Sequence, residues 1–175
     1  MNRKTGIPAR RVTLIVVLSW LSMLGFDLLL HGGVLARFYV KPGPFLLPPQ
    51  MAFRYIPLGY LSFLILAILL VWLMVKLDVR GWRVGFLFGL KLGALFWGAM
   101  VMGLMSISTA EWSLLFGWFC GQTLELATAG LFAGLGLGGT GLFRLFLMIL
   151  AFVILMFVVT VVLQSTGIAP TIRVS

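Results

Sequence analysis

The stretch Leu145–Leu163, LFLMILAFVILMFVVTVVL, holds no charged residue, and Thr160 is its only polar side chain. At about 1.5 Å of rise per residue, a helix of this length covers a hydrocarbon core of about 30 Å. Four more runs read the same way. Val12–Leu30 carries Asp27 as its only charge, Ile56–Val75 carries none, Val84–Ile107 carries Lys91, and Trp112–Leu135 carries Glu125. The expected fold is therefore all-α: a polytopic transmembrane helical bundle forming a single domain over residues 1–175. Its five spans lie at 12–30, 56–75, 84–107, 112–135 and 145–163, with an external Pro-rich segment at 31–55. The residue-by-residue alternation of a membrane β-barrel is absent.

Composition agrees. Hydrophobic residues make up 62% of the chain and charged residues 10%, where soluble domains carry about a quarter, and the mean hydropathy is +1.16. Disorder, a disulfide scaffold and a cytosolic enzyme are excluded, and Cys120, the lone cysteine, can close no intrachain disulfide. The net charge of +9 would point to nucleic acid in a soluble protein. Here the basic residues sit in the tail and short loops, so the partners implied are the lipid bilayer and membrane-protein subunits, with no nucleic acid.

Those basic residues also set an orientation. Arg3, Lys4, Arg10, Arg11, Lys76, Arg80, Arg83 and Arg144 fall on one side of a five-span arrangement, and Arg37, Lys41, Arg54 and Arg173 on the other. The positive-inside rule puts the N-terminus in the cytoplasm and the C-terminus outside. Tyr39, Tyr55 and Tyr60 then lie near the outer interface, where amphipathic rings are favoured. A cleavable signal peptide competes for the first run, but Asp27 and His31 interrupt it. In the segment 31–55, Pro42, Pro44, Pro48 and Pro49 point to an extended or interfacial strap, with Pro57 opening the next helix.

Charges within spans are costly and commonly functional. Asp27 and His31 stand four apart on one helix face, where a carboxylate can fix an imidazole tautomer, as a proton relay or ligand-orienting pair requires. The plainer reading leaves His31 in interfacial water and has Arg37 or Arg54 neutralise Asp27. Lys91 is expected to turn away from its neighbouring helix and snorkel. Glu125 is expected to be protonated or hydrogen-bonded near Gln122, one turn away. The spans that hold these charges, the first, third and fourth, should form the centre of the bundle.

Gly81, Gly85, Gly89 and Gly93 recur every fourth residue and line one face of the third span, a surface that lets another backbone come close. The fourth span offers Gly117, Gly121, Glu125, Ala129 and Ala133 as the matching stripe, and the short connection Ser108–Glu111 makes the two antiparallel neighbours. Gly134–Gly139 satisfies G-x-G-x-x-G, but it follows a membrane helix and precedes an apolar one. It reads as a cytoplasmic turn and not as a dinucleotide fingerprint.

No metal, haem or nucleophile constellation is legible, so no cofactor is expected; a quinone or pigment could rest against the phenylalanines, but nothing demands one. Asp27-xxx-His31-Gly32 followed by Tyr39, Arg80-Gly81 opening the glycine-laddered helix, then Trp118 and Ala129-Gly130, together resemble uncharacterised small bacterial integral membrane proteins of about four helices. The likeness covers roughly residues 12–135 and implies a bacterial inner-membrane location. Two roles are expected. The first is a non-enzymatic accessory, structural or assembly subunit of a larger membrane complex, since the loops leave little soluble mass. The alternative is a small transporter or proton-conducting protein using Asp27, His31, Lys91 and Glu125.

Overall fold

The computed structural model describes residues 6–40 and 45–170, and every regular element among them is helical. Helix α1 runs Ala9–Leu29 and widens into a π-helical turn at Leu30–Val34; α2 is the short Ala36–Val40. Four long helices follow: α3 Pro49–Lys76, α4 Trp82–Ile107, α5 Trp112–Leu137 and α6 Leu142–Ser165. Arg3, Lys4, Lys41, Pro42, Pro44 and Arg173, used in the sequence argument, lie outside the described residues.

Among the described residues, four helices are long and apolar enough to cross a membrane: Ala9–Val34, Met51–Lys76, Trp82–Ile107 and Leu142–Ser165. These mark the chain as a multi-pass membrane protein. Helix α5 matches them in length at 26 residues but carries Gln122, Thr123 and Glu125 in its middle. Its position accounts for that tolerance. It is the most enclosed helix of the bundle, touching α1, α3, α4 and α6, so its polar groups are kept from lipid by protein.

The segment 31–55 departs from the extended strap expected of it. The π turn and α2 fill residues 30–40, and α3 already begins at Pro49. The prolines explain where α3 starts: Pro48 caps it and Pro49 stands in its first turn, where a missing N–H costs nothing. Pro57, expected to open the helix, lies within it instead. Lacking an N–H, it leaves the carbonyl of Phe53 without its helical donor.

Helices α4 and α5 form a seam of main chain against main chain. A Cβ added at Gly93 would lie 3.0 Å from the Thr123 backbone, and one at Gly89 would lie 2.9 Å from the Ala127 Cα. Gly85 meets Gly130 and Gly134, and the Gly81 amide donates to the Gly134 carbonyl at 2.8 Å. The glycine ladder of α4 is thus used as expected, but its partner stripe is Thr123, Leu126, Ala127, Gly130 and Gly134. Gly117 and Gly121 face the π turn that continues α1 instead, where the side chains of Leu35 and Leu30 fill the space a Cβ would need. In hydrocarbon, van der Waals contact between close backbones holds such pairs together, because lipid tails remove most of the hydrophobic driving force.

The centre of the bundle is α1 with α5. Ile15 and Met23 of α1, Ala67, Leu70 and Met74 of α3, and Leu126, Ala129 and Ala133 of α5 form the main apolar cluster. Helix α4, expected at the centre, packs almost wholly on α5 and leaves Leu87, Leu95 and Met102 exposed. The glycine seam explains this: it docks α4 through one narrow face, and the other faces remain on the outside.

A network of polar side chains in the bundle

The π turn places the site. It is closed by the Leu35 amide donating to the Leu30 carbonyl at 2.7 Å, and it contains His31-Gly32-Gly33. Two consecutive glycines weaken the α-helix, and their lack of side chains lets this wider turn rest on α6. A Cβ at Gly32 would sit 3.3 Å from Thr160 Cγ2, and one at Gly33 3.1 Å from Leu163 Cδ1. Gln164 Nε2 donates to the Gly32 carbonyl at 2.9 Å, pinning the turn to α6.

His31 joins groups from three elements. Its Nε2 lies 3.2 Å from Asp27 Oδ1 and 3.1 Å from Gln122 Nε2. Its Nδ1 lies 2.5 Å from the Tyr39 hydroxyl, and Trp118 Nε1 donates to that same hydroxyl at 2.6 Å. Burial raises the Tyr39 hydroxyl above the ordinary phenol range, so it stays protonated.

The hydrogen positions follow from donor arithmetic. Indole N–H can only donate, so the Tyr39 oxygen accepts from Trp118 and its own hydrogen is free to go to His31 Nδ1. The imidazole proton then sits on Nε2 and points at the Asp27 carboxylate. With that tautomer the Gln122 amide, whose two ends are exchangeable by rotation, turns its oxygen toward the ring and shares the one Nε2 hydrogen with Asp27. The same network can hold one further proton. With that proton bound on Nδ1, the Nδ1–H donates a hydrogen bond to the Tyr39 oxygen, the Nε2 proton passes to Asp27, and the Tyr39 hydrogen turns outward. The two states differ by one proton, with the ring neutral in both. That is the chemistry of a relay.

The network borders a cavity of about 390 Å³ between α1 and α3. Asp27, His31, Tyr39 and Tyr60 supply its polar edge, while Phe53, Phe63, Leu28, Leu47 and Ile56 supply most of the rest. Phe63 is buried, whereas Leu28, Leu47, Phe53 and Ile56 are exposed, so the cavity opens sideways through the flank of the bundle. Trp20 Nε1 donates to the Tyr60 carbonyl at 2.9 Å and fixes α3 against α1 just below it.

The chain matches no family model, no curated protein and no solved structure. The site's meaning rests on its own geometry.

The residues singled out in the sequence divide accordingly. Asp27, His31 and Gln122 come together. Arg37 does not neutralise Asp27, because its guanidinium donates to the Ile168 carbonyl at 2.9 and 3.2 Å and ties α2 to the end of α6. Lys91 is exposed on α4, apart from the network. Glu125 is fully buried, and neither carboxyl oxygen has a hydrogen-bond partner. It is not bonded to Gln122, which turns to His31, and it does not enter the α4 seam. The contacts of Leu30 with Gly121 and of Ile15 with Gly136 set the antiparallel register of α1 and α5. They put Glu125 at about the height of Asp27. Tyr39, Trp118 and Tyr60 were not expected as site residues. Hydropathy is blind to them; the clustering of the three tyrosines near one interface pointed to Tyr39 and Tyr60, and nothing in the sequence placed Trp118 beside them.

Proposed function

We propose that this protein is a small, non-enzymatic transporter or proton-conducting protein of a bacterial inner membrane. In this reading the chain crosses five times, with its N-terminus in the cytoplasm and its C-terminus outside. The observation that carries the role is the Asp27–His31–Tyr39 chain beside a cavity open to the flank. A purely structural bundle has no use for an ionisable chain that holds a proton in two positions next to an open space.

The end-to-end arrangement supports five crossings. Arg11 donates to the Gly136 and Thr140 carbonyls at 2.9 and 2.7 Å, joining the start of α1 to the end of α5. At the opposite end Arg37 reaches Ile168 beyond α6. Of the described basic residues near helix ends, Arg10, Arg11, Lys76, Arg80, Arg83 and Arg144 gather at the first end, and Arg37 and Arg54 at the second. A reporter fused after Ser175 is therefore expected to be active in the periplasm; activity only in the cytoplasm contradicts the topology.

The role is tested by proton flux into proteoliposomes under an imposed potential. Wild-type protein should conduct above empty vesicles, and Asp27→Asn, which cannot release or take the relayed proton, should lose at least about 10-fold. Absence of flux together with purification in a stoichiometric complex would support the second reading, an accessory or assembly subunit. What favours that reading is α4, whose broad apolar faces are left uncovered within the chain.

A further inference from the structure

The cavity between α1 and α3 has a charge character that narrows its occupant. Among its described lining residues Asp27 is the only carboxylate, and His31 is the only one able to carry positive charge. His31 is already engaged, with Nδ1 on Tyr39 and Nε2 on Asp27. That leaves nothing cationic free to meet a phosphate or carboxylate. Asp27 Oδ1 faces His31, while its second carboxyl oxygen makes no hydrogen bond within the protein among the described residues. Four aromatic rings, Tyr39, Phe53, Tyr60 and Phe63, complete the surround. An intramembrane carboxylate within an aromatic wall attracts a cation twice, by direct charge and through the negative faces of the rings, and both effects strengthen where water is scarce. The volume stands at the lower end of the range for small-ligand pockets, about 300–1,000 Å³. The exposed rim of Leu28, Leu47 and Ile56 makes the entrance apolar, so the ligand must itself be at home in lipid.

We infer that this cavity binds a lipophilic organic cation, an amine or quaternary onium carried on an apolar body, with Asp27 as counter-ion and the aromatic rings as its wall. This deepens the transport reading and rests on it for the direction of movement, but not for binding. An anionic lipid head finds no free cation among the described lining residues. A neutral quinone ring would leave the Asp27 charge unmatched.

The test is equilibrium dialysis of labelled tetraphenylphosphonium against the full chain in an uncharged detergent, with tetraphenylborate, nearly the same shape and opposite in charge, as competitor. Saturable binding at one site per chain is expected, at least about 10-fold weaker in Asp27→Asn and largely restored in Asp27→Glu. Tetraphenylborate should not compete. Should Asp27→Asn fail to fold, Ile56→Trp serves instead: it fills the entrance without touching the network and should also abolish binding. Unsaturable uptake, binding unchanged in the variant that folds, or equal competition by tetraphenylborate overturns the inference. Proton flux without tetraphenylphosphonium binding would overturn it while leaving the transport reading in place. Binding without flux would do the reverse.

Discussion

Gly89→Ala should separate α4 from α5, although alanine is the better helix former. On propensity alone the change is worth up to about 1 kcal/mol in the variant's favour. At this position, however, the new methyl would stand 2.9 Å from the Ala127 Cα and 3.0 Å from the Leu126 carbonyl carbon. Both are main-chain atoms of a buried helix and cannot swing aside as a side-chain tip can. The helices must move apart, and every close contact along Gly85, Gly89 and Gly93 loosens together. Overpacking of this kind costs about 1–3 kcal/mol or more, which exceeds the propensity gain. Gly103→Ala supplies the control. It lies on the same helix with nothing within 4 Å of the added atom, so it should leave stability unchanged or raise it. Thermal unfolding in detergent checks the pair. Equal effects would mean that the seam does not hold α4.

The second large effect is expected at His31. His31→Ala removes the one group shared by Asp27, Tyr39 and Gln122; it takes away the partner of Asp27 and of Gln122 and leaves the Tyr39 hydroxyl hydrogen without its acceptor. A buried polar group without a partner costs about 1–3 kcal/mol. The side chains of His31 and Asp27 keep 28% and 14% of their surface exposed, so water relieves part of this, and a net loss of about 2–3 kcal/mol is expected. Tyr39→Phe should cost less, about 1 kcal/mol, because it strands only the Trp118 N–H and removes one donor from His31. Proton flux should fall sharply in both variants, since each cuts the chain of hydrogen bonds that carries the proton. A His31→Ala protein as stable and as conductive as wild type would mean that the network is incidental.

Much of this fold is legible in the sequence, because the length and apolarity of a membrane helix are local properties. Each expected run from Val12 to Leu163 corresponds to a helix, with ends shifted by a few residues; α3 is the exception and starts well before Ile56. What is not legible depends on which faces meet. Periodicity marks a glycine ladder on α4, but α5 offers two small-residue stripes, and only packing decides that Thr123, Ala127, Gly130 and Gly134 meet α4 while Gly117 and Gly121 meet α1. The Asp27–His31 pair is visible as an i, i+4 spacing. Its extension to Tyr39 depends on the π turn, which reorients the chain after His31, and hydropathy cannot register a change of helix type. Trp118 and Gln122 lie about 90 positions further along, on another helix, and nothing local announces them. Arg37 shows the same limit: its nearest acid in sequence is Asp27, yet its guanidinium is taken by the Ile168 carbonyl.

His31 is the only histidine of the chain, so protein labelled with ¹⁵N-histidine has just two ring nitrogens to observe. The central claim is that this ring is held neutral, with its proton on Nε2 toward Asp27 and Nδ1 accepting from Tyr39. ¹⁵N spectra in lipid at neutral pH should then show one protonated and one unprotonated nitrogen. Asp27→Asn should shift the Nε2 signal most, and Tyr39→Phe the Nδ1 signal most. A ring that carries a proton on both nitrogens, or whose two signals ignore both substitutions, would contradict the relay.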